Sequence, residues 1–145
     1  MRQLADVLLS GPGTLTLAER ELIATYVSQL NDCSFCTKGH GARAAAQLGG
    51  NEELVRHVMR GYDQAEISGK LKALLAIAGK VQQGGKQVSL DDVARARREG
   101  ATDFEIHDAV LIAAAFCMYN RYVDGLGASD PDEVAPAPER NGSTA

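Results

Sequence analysis

The sequence predicts an all-α domain, and three observations carry that expectation. Helix-capping signals recur along the 145 residues. Apolar side chains return at three- and four-residue spacing between those signals, and Val/Ile/Thr-rich alternation of the kind a half-buried strand shows is missing. Alanine is abundant and aromatics make up only 5%, which suits helices packed closely through small side chains. With 45% apolar residues, a chain of this length buries a useful core, and one domain is expected over residues 1–128.

Thr16-Leu17-Ala18-Glu19 is a capping-box pattern that opens the first predicted helix. Its apolar stripe is Leu22, Ile23, Tyr26, Val27 and Leu30, and Asn31-Asp32 breaks it. A second helix starts at about Cys33 and runs to Leu48, where Gly49-Gly50 supplies the left-handed conformation that closes helices. A third spans 52–60 before Gly61, and a fourth spans 68–83 with Leu71, Leu74, Leu75, Ile77, Ala78 and Val81 inside. Ser89 caps a fifth over 91–99, closed by Gly100. Thr102-Asp103-Phe104-Glu105 is a second capping box and opens a long sixth helix, apolar on most faces, that reaches towards Leu126. Residues 129–145 hold three of the four prolines and no apolar run. That tail is expected to be disordered, with an arm wrapped around a neighbouring subunit as the alternative.

Composition narrows the function classes. A formal charge of −4, with no basic stretch and no RNA-reading aromatic motif, argues against nucleic acid. The N-terminus, with Asp6 inside a short apolar stretch, is a poor signal peptide, so a cytoplasmic location is expected. The longest apolar run, residues 109–119, falls well short of the roughly 20 needed to span a bilayer, so no membrane role is expected. Three cysteines in a reducing compartment do not make a disulfide framework.

The spacing of two of them is informative. Cys33-Ser34-Phe35-Cys36 places two sulfurs within disulfide reach at the start of a helix, whose unpaired N–H groups and partial positive charge favour a thiolate. His40 follows Cys36 by four residues, on the same helix face, where its imidazole can take the thiol proton. Alternatives are a structural zinc site completed from His40, His57, His107 or Cys117, a permanent disulfide, or two inert core cysteines. Cys117, within Ala113-Ala114-Ala115-Phe116-Cys117-Met118, reads as packing. His57 and His107 read as surface residues.

The stretch from Glu21 through Cys33-Ser34-Phe35-Cys36 to His40 resembles the alkylhydroperoxidase D (AhpD) family, whose motif is Glu, eleven residues, C-x-x-C, three residues, His. Asp108-Ala109-Val110-Leu111-Ile112-Ala113-Ala114, followed by Asn120-Arg121, is similar to the long helix of its peroxidase-related members. The resemblance covers most of 15–127 and implies an AhpD-like helical domain of about six helices. It implies a thiol peroxidase acting on organic hydroperoxides or hydrogen peroxide, with Cys36 as peroxidatic nucleophile and Cys33 resolving to a disulfide. His40 and Glu21 would form the proton relay. It further implies no metal or organic cofactor, an external dithiol reductant (a lipoylated or thioredoxin-like protein, or a low-molecular-weight thiol), and a homo-oligomer, trimeric or hexameric.

The residues themselves support Glu21 less than His40. On a helical wheel Glu21 falls roughly opposite the apolar stripe, where a glutamate is ordinarily exposed, and Glu19 lies nearer the stripe. Some family members carry a histidine between the cysteines where this chain has Ser34 and Phe35. Phe35 is either an apolar wall that keeps water from the thiolate or a core residue. Two other functions fit the same features: general thiol–disulfide exchange, and the chemistry of the carboxymuconolactone decarboxylases that share the fold, which has no need of a C-x-x-C. A zinc-stabilised interaction module is the remaining alternative.

Overall fold

Hydroxyl and amide side chains set where most of the helices begin. A computed structural model describes residues 2–128, which form seven α-helices and no strand. These are α1 (Arg2–Ser10), α2 (Leu17–Leu30), α3 (Ser34–Gln47), α4 (Glu52–Gly61), α5 (Gly69–Gln83), α6 (Leu90–Arg98) and α7 (Asp103–Gly125). Thr16, Ser89 and Thr102 close capping boxes with Glu19, Asp92 and Glu105. Asn51 and Ser68 accept from the backbone N–H groups of Leu54 and Leu71. α2 to α7 therefore start and stop within one or two residues of the positions read from the sequence. The predicted tail, 129–145, lies outside the described residues.

The expectation of about six helices missed α1. Its nine residues carry no capping signal, and so short a helix is marginal on its own in water. Tertiary contacts hold it: Leu8 and Leu9 are buried, and the guanidinium of Arg20 on α2 donates through Nη1 to the Leu8 carbonyl at 2.9 Å and through Nε to the Leu15 carbonyl at 3.2 Å. Arg20 Nη2 lies 3.8 Å from Asp108 Oδ2 on α7. A side chain at Gly13 would collide with this guanidinium, so the loop after α1 stays close over it.

α2 is the central helix. It packs against α1, α3, α4, α5 and α7, and the core around it draws on Ile23, Val27, Val58, Leu74, Leu75, Ile77, Ile112 and Phe116. Residues on every side of α2 are consequently buried, including Arg20, Glu21, Thr25 and Ser28. A helix enclosed on all sides does not obey the one-stripe rule that a partly exposed helix follows. Lys70 on α5 ties the N-termini of α2 and α7 together. Its Nζ donates to Glu105 Oε1 at 3.0 Å and lies 3.7 Å from Glu19 Oε1. Among the described residues no helix is long and apolar enough to cross a membrane.

Asp92 receives two 2.7 Å bonds from Lys80 Nζ and further bonds from the Ser89 N–H and hydroxyl. Lys80 first, and Ser89 after it, hold its carboxyl down at about 2, against 3.8 ordinarily. The folded-state value is the lower one, so the stabilisation is complete above about pH 4 and drains as pH falls towards 2. Urea unfolding between pH 4 and pH 2 should show a stability loss that is shallower in Asp92→Asn than in the parent.

Candidate active site

α2 and α3 are joined by a tight turn. Asn31 ends α2, and Asp32 takes a left-handed φ of 56°. Cys33 then stands as the N-cap of α3, its N–H donating to the Ser28 carbonyl at 3.0 Å. Cys33 makes no side-chain cap bond, whereas the N-caps of α2, α4, α5, α6 and α7 all do. The first turn of α3 therefore lacks the oxygen cap of the other helices; the Cys36 N–H faces the Cys33 sulfur and pulls that thiol down against its burial, as a helix N-terminus favours negative charge beside it.

Both thiols are free, and both are buried, Cys33 completely and Cys36 at 6% exposure. Burial first, and then hydrogen bonding with the Cys36 side chain, pushes the Cys33 thiol up to about 12. Cys33 is thus held as a thiol.

Cys36 and His40, one helical turn apart on α3, line one pocket of about 440 Å³. Its other walls are Ala5 from α1, Phe35 from α3, and Phe116, Tyr119 and Val123 from α7. The lining is apolar apart from the thiol, the imidazole and the tyrosine. The His40 ring meets Phe116 edge-on, with centroids 4.7 Å apart and planes at 88°, a geometry that aromatic quadrupoles favour.

The burial of Glu21 corrects the helical-wheel expectation that it is exposed. The residue is 7% exposed, and its Oε2 lies 2.7 Å from His40 Nδ1. In the tautomer that places a proton on Nδ1, the ring donates to the carboxylate and Nε2 is left to accept. The helical wheel misplaced Glu21 because it assumed a single buried face, and α3 covers the opposite face of α2. Glu19, nearer the predicted stripe, is instead engaged in the capping box and near Lys70.

Phe35 is 45% exposed and lines the pocket, so it is not the core residue of its second alternative. His57 and His107 are exposed, with side chains at 51% and 68%, and their carboxylate neighbours are Glu53 and Asp108. Cys117 is half-buried against the core, and its sulfur accepts from Asn31 Nδ2 at 3.7 Å. Among the described residues no three His, Cys, Asp or Glu side chains are grouped to hold a metal ion.

Four wall residues, Ala5, Phe116, Tyr119 and Val123, escaped the sequence reading of the site. Phe116 and Tyr119 sit three residues apart on α7, a spacing that puts two aromatics on one face. That signal was present, but not which helix they would face. Ala5 carried no signal, since α1 itself was not expected.

An all-helical chain with a C-x-x-C at a helix N-terminus and a Glu–His pair behind it defines a recognisable class. The model of the Carboxymuconolactone decarboxylase family matches residues 1–80, more than half of the chain, and the chain belongs to that family. It is also similar to two solved structures. One is an uncharacterized peroxidase-related protein from Silicibacter sp., 28% identical, with TM-score 0.80, the match covering 87% of this chain and 65% of that one. The other, from Ralstonia eutropha, is described as an alkylhydroperoxidase AhpD core and an uncharacterized peroxidase-related protein. It is 30% identical, with TM-score 0.83, over 91% of this chain and 69% of that one. The chain therefore spans about two thirds of the length of these two proteins. No curated protein matches it significantly.

The raised thiol of Cys33 has a measurable consequence. Alkylation of the reduced protein between pH 7 and pH 9, mapped by mass spectrometry, should modify Cys36 and spare Cys33. Equal labelling of both would contradict the protected state of Cys33.

Proposed function

We propose that this chain is a thiol-dependent peroxidase that reduces organic hydroperoxides or hydrogen peroxide through a Cys33–Cys36 disulfide. The single observation that carries the proposal is the 2.7 Å Glu21–His40 bond behind an imidazole that shares an apolar pocket with Cys36. In the proposed reaction, Glu21 orients His40, and Nε2 takes the Cys36 proton. The Cys36 thiolate attacks the distal peroxide oxygen, the O–O bond breaks, and His40 returns the proton to the departing alkoxide. Cys36 is left as a sulfenic acid. The Cys33 thiol then attacks that sulfur, forming the disulfide and releasing water. An external dithiol regenerates both thiols by exchange. Apart from the external dithiol, every step uses this chain's own side chains, so the proposal calls for neither metal nor organic cofactor.

The apolar lining supports a hydroperoxide with a hydrocarbon portion, and the volume lies within the range of small-molecule sites. The proposed reductant is a lipoylated or thioredoxin-like protein, or a low-molecular-weight thiol, and the proposed location is the cytoplasm. A homo-oligomer, trimeric or hexameric, is also proposed. Exposed Leu111, Met118, Tyr122 and Leu126 on and beside α7, with Leu4 and Val7 on α1, supply apolar surface of the kind subunit contacts bury. The family match favours a second reading, a lactone-directed decarboxylase. Its mark would be activity on a lactone carboxylate that survives removal of both cysteines.

Mixing reduced protein with one equivalent of hydroperoxide separates the roles. Cys36→Ser should lose the rapid consumption of peroxide. Cys33→Ser should keep one turnover and stop at a trappable sulfenate on Cys36. Glu21→Gln should slow the first step by roughly 100-fold, the lower end of what a positioned acid–base group contributes. Parental consumption by Cys36→Ser would remove Cys36 as nucleophile.

A further inference from the structure

We propose that a buried amide clamp centred on Asn120 positions Cys33 for disulfide closure, making Asn120 and Asn31 positioning residues for the second half of the reaction. The inference rests on the thiol-peroxidase reading above and assigns these residues a role in it.

Asn120 is fully buried on α7. Its Nδ2 donates to Ser28 Oγ at 3.0 Å, and its Oδ1 accepts from Asn31 Nδ2 at 2.9 Å. From α5, Gln82 Nε2 donates to Asn31 Oδ1 at 3.0 Å and to the Leu30 carbonyl at 3.2 Å. One side chain thus grips both the last turn of α2 and its C-cap, the stretch that leads into Cys33. Ser28 is the residue whose carbonyl accepts from the Cys33 N–H, and Asn31 lies two residues before it.

Between Asn31 and Cys33 stands Asp32 in the left-handed region, a conformation that costs a non-glycine residue and persists where its surroundings over-determine it. On the far side, the Thr37 N–H and hydroxyl both donate to the Cys33 carbonyl at 2.9 Å. Both backbone polar groups of Cys33 are therefore fixed. Asn120, Asn31, Ser28 and Gln82 do not line the pocket that holds Cys36, so they act through Cys33 and not on substrate. An apolar residue at position 120 would strip the bonds from Asn31 and buried Ser28, the costly way to break a buried network.

In the step concerned, a sulfur–sulfur bond forms between Cys33 and Cys36 and the Cys36 S–O bond breaks. The proton of the Cys33 thiol leaves with the hydroxyl as water, and no outside oxidant or reductant enters. Its rate depends on holding Cys33 in line with that S–O bond, and a shift of about 1 Å costs such reactions up to about 100-fold.

The test compares the parent with Asn120→Ala and Asn31→Ala, following Cys36 sulfenate formation and disulfide closure separately in single-turnover rapid-quench mapping with cumene hydroperoxide. Each variant should form the sulfenate within about twofold of the parent and close the disulfide at least about tenfold more slowly. A tenfold loss in the disulfide's closure constant raises its reduction potential by about 30 mV, read against a glutathione redox buffer. Asn31 is only half-buried, so Asn31→Ala carries the test if Asn120→Ala does not fold. Parental closure rates and potentials in the folded variants would overturn the proposal, as would equal slowing of both steps. The potential needs no peroxide: if the parent forms no sulfenate, the peroxidase reading fails, and the potentials alone decide the clamp.

Discussion

A glutamate taken out of water must find a partner or be neutralised, because an unpaired buried charge is among the costliest things a fold can contain. Glu21 meets that constraint through His40, and much of the site depends on the pairing. The bond requires α2 and α3 to lie side by side. That alignment puts Cys36, on the same face of α3 as His40, beside α7 and the aromatic side chains Phe116 and Tyr119. The imidazole is held from one side by the carboxylate and from another by the edge-on Phe116 ring. It is therefore pre-oriented before any substrate arrives, the condition under which proton transfer and positioning are effective.

The two thiols differ because the turn before α3 treats them differently. Cys33 is the cap, enclosed completely and held in the protonated form by burial. Cys36 is inside the first turn of α3, at the wall of a pocket. Two chemically identical side chains three residues apart thus acquire distinct environments from one strained turn and one helix end. The amide network of Asn120, Asn31, Ser28 and Gln82 ties that turn to α5 and α7. The packing of the bundle and the geometry of the thiols are one mechanical system.

Charged side chains also serve where helix ends converge. Arg20 collects the Leu8 carbonyl of α1, the Leu15 carbonyl and the neighbourhood of Asp108, and so fastens a helix that has no capping signal of its own. Lys70 bridges the capping glutamates of α2 and α7. α1 matters to the site because Ala5 forms part of the pocket wall.

The sequence by itself determined the helical class, the boundaries of α2 to α7, and the local geometry of Cys33, Cys36 and His40. Those properties depend on neighbours within one or two turns: caps, glycine stops, and i, i+3 and i, i+4 spacing. Tertiary structure alone decided three things. It created α1, whose stability comes from burying Leu8 and Leu9 and from Arg20 on a different helix. It made Glu21 a buried partner of His40, because the periodicity of α2 reports one apolar stripe and cannot report that other helices surround it. It also assembled the pocket and the clamp around Cys33, whose members lie as far apart in the chain as Ala5 and Val123. No local pattern encodes which of their faces will meet.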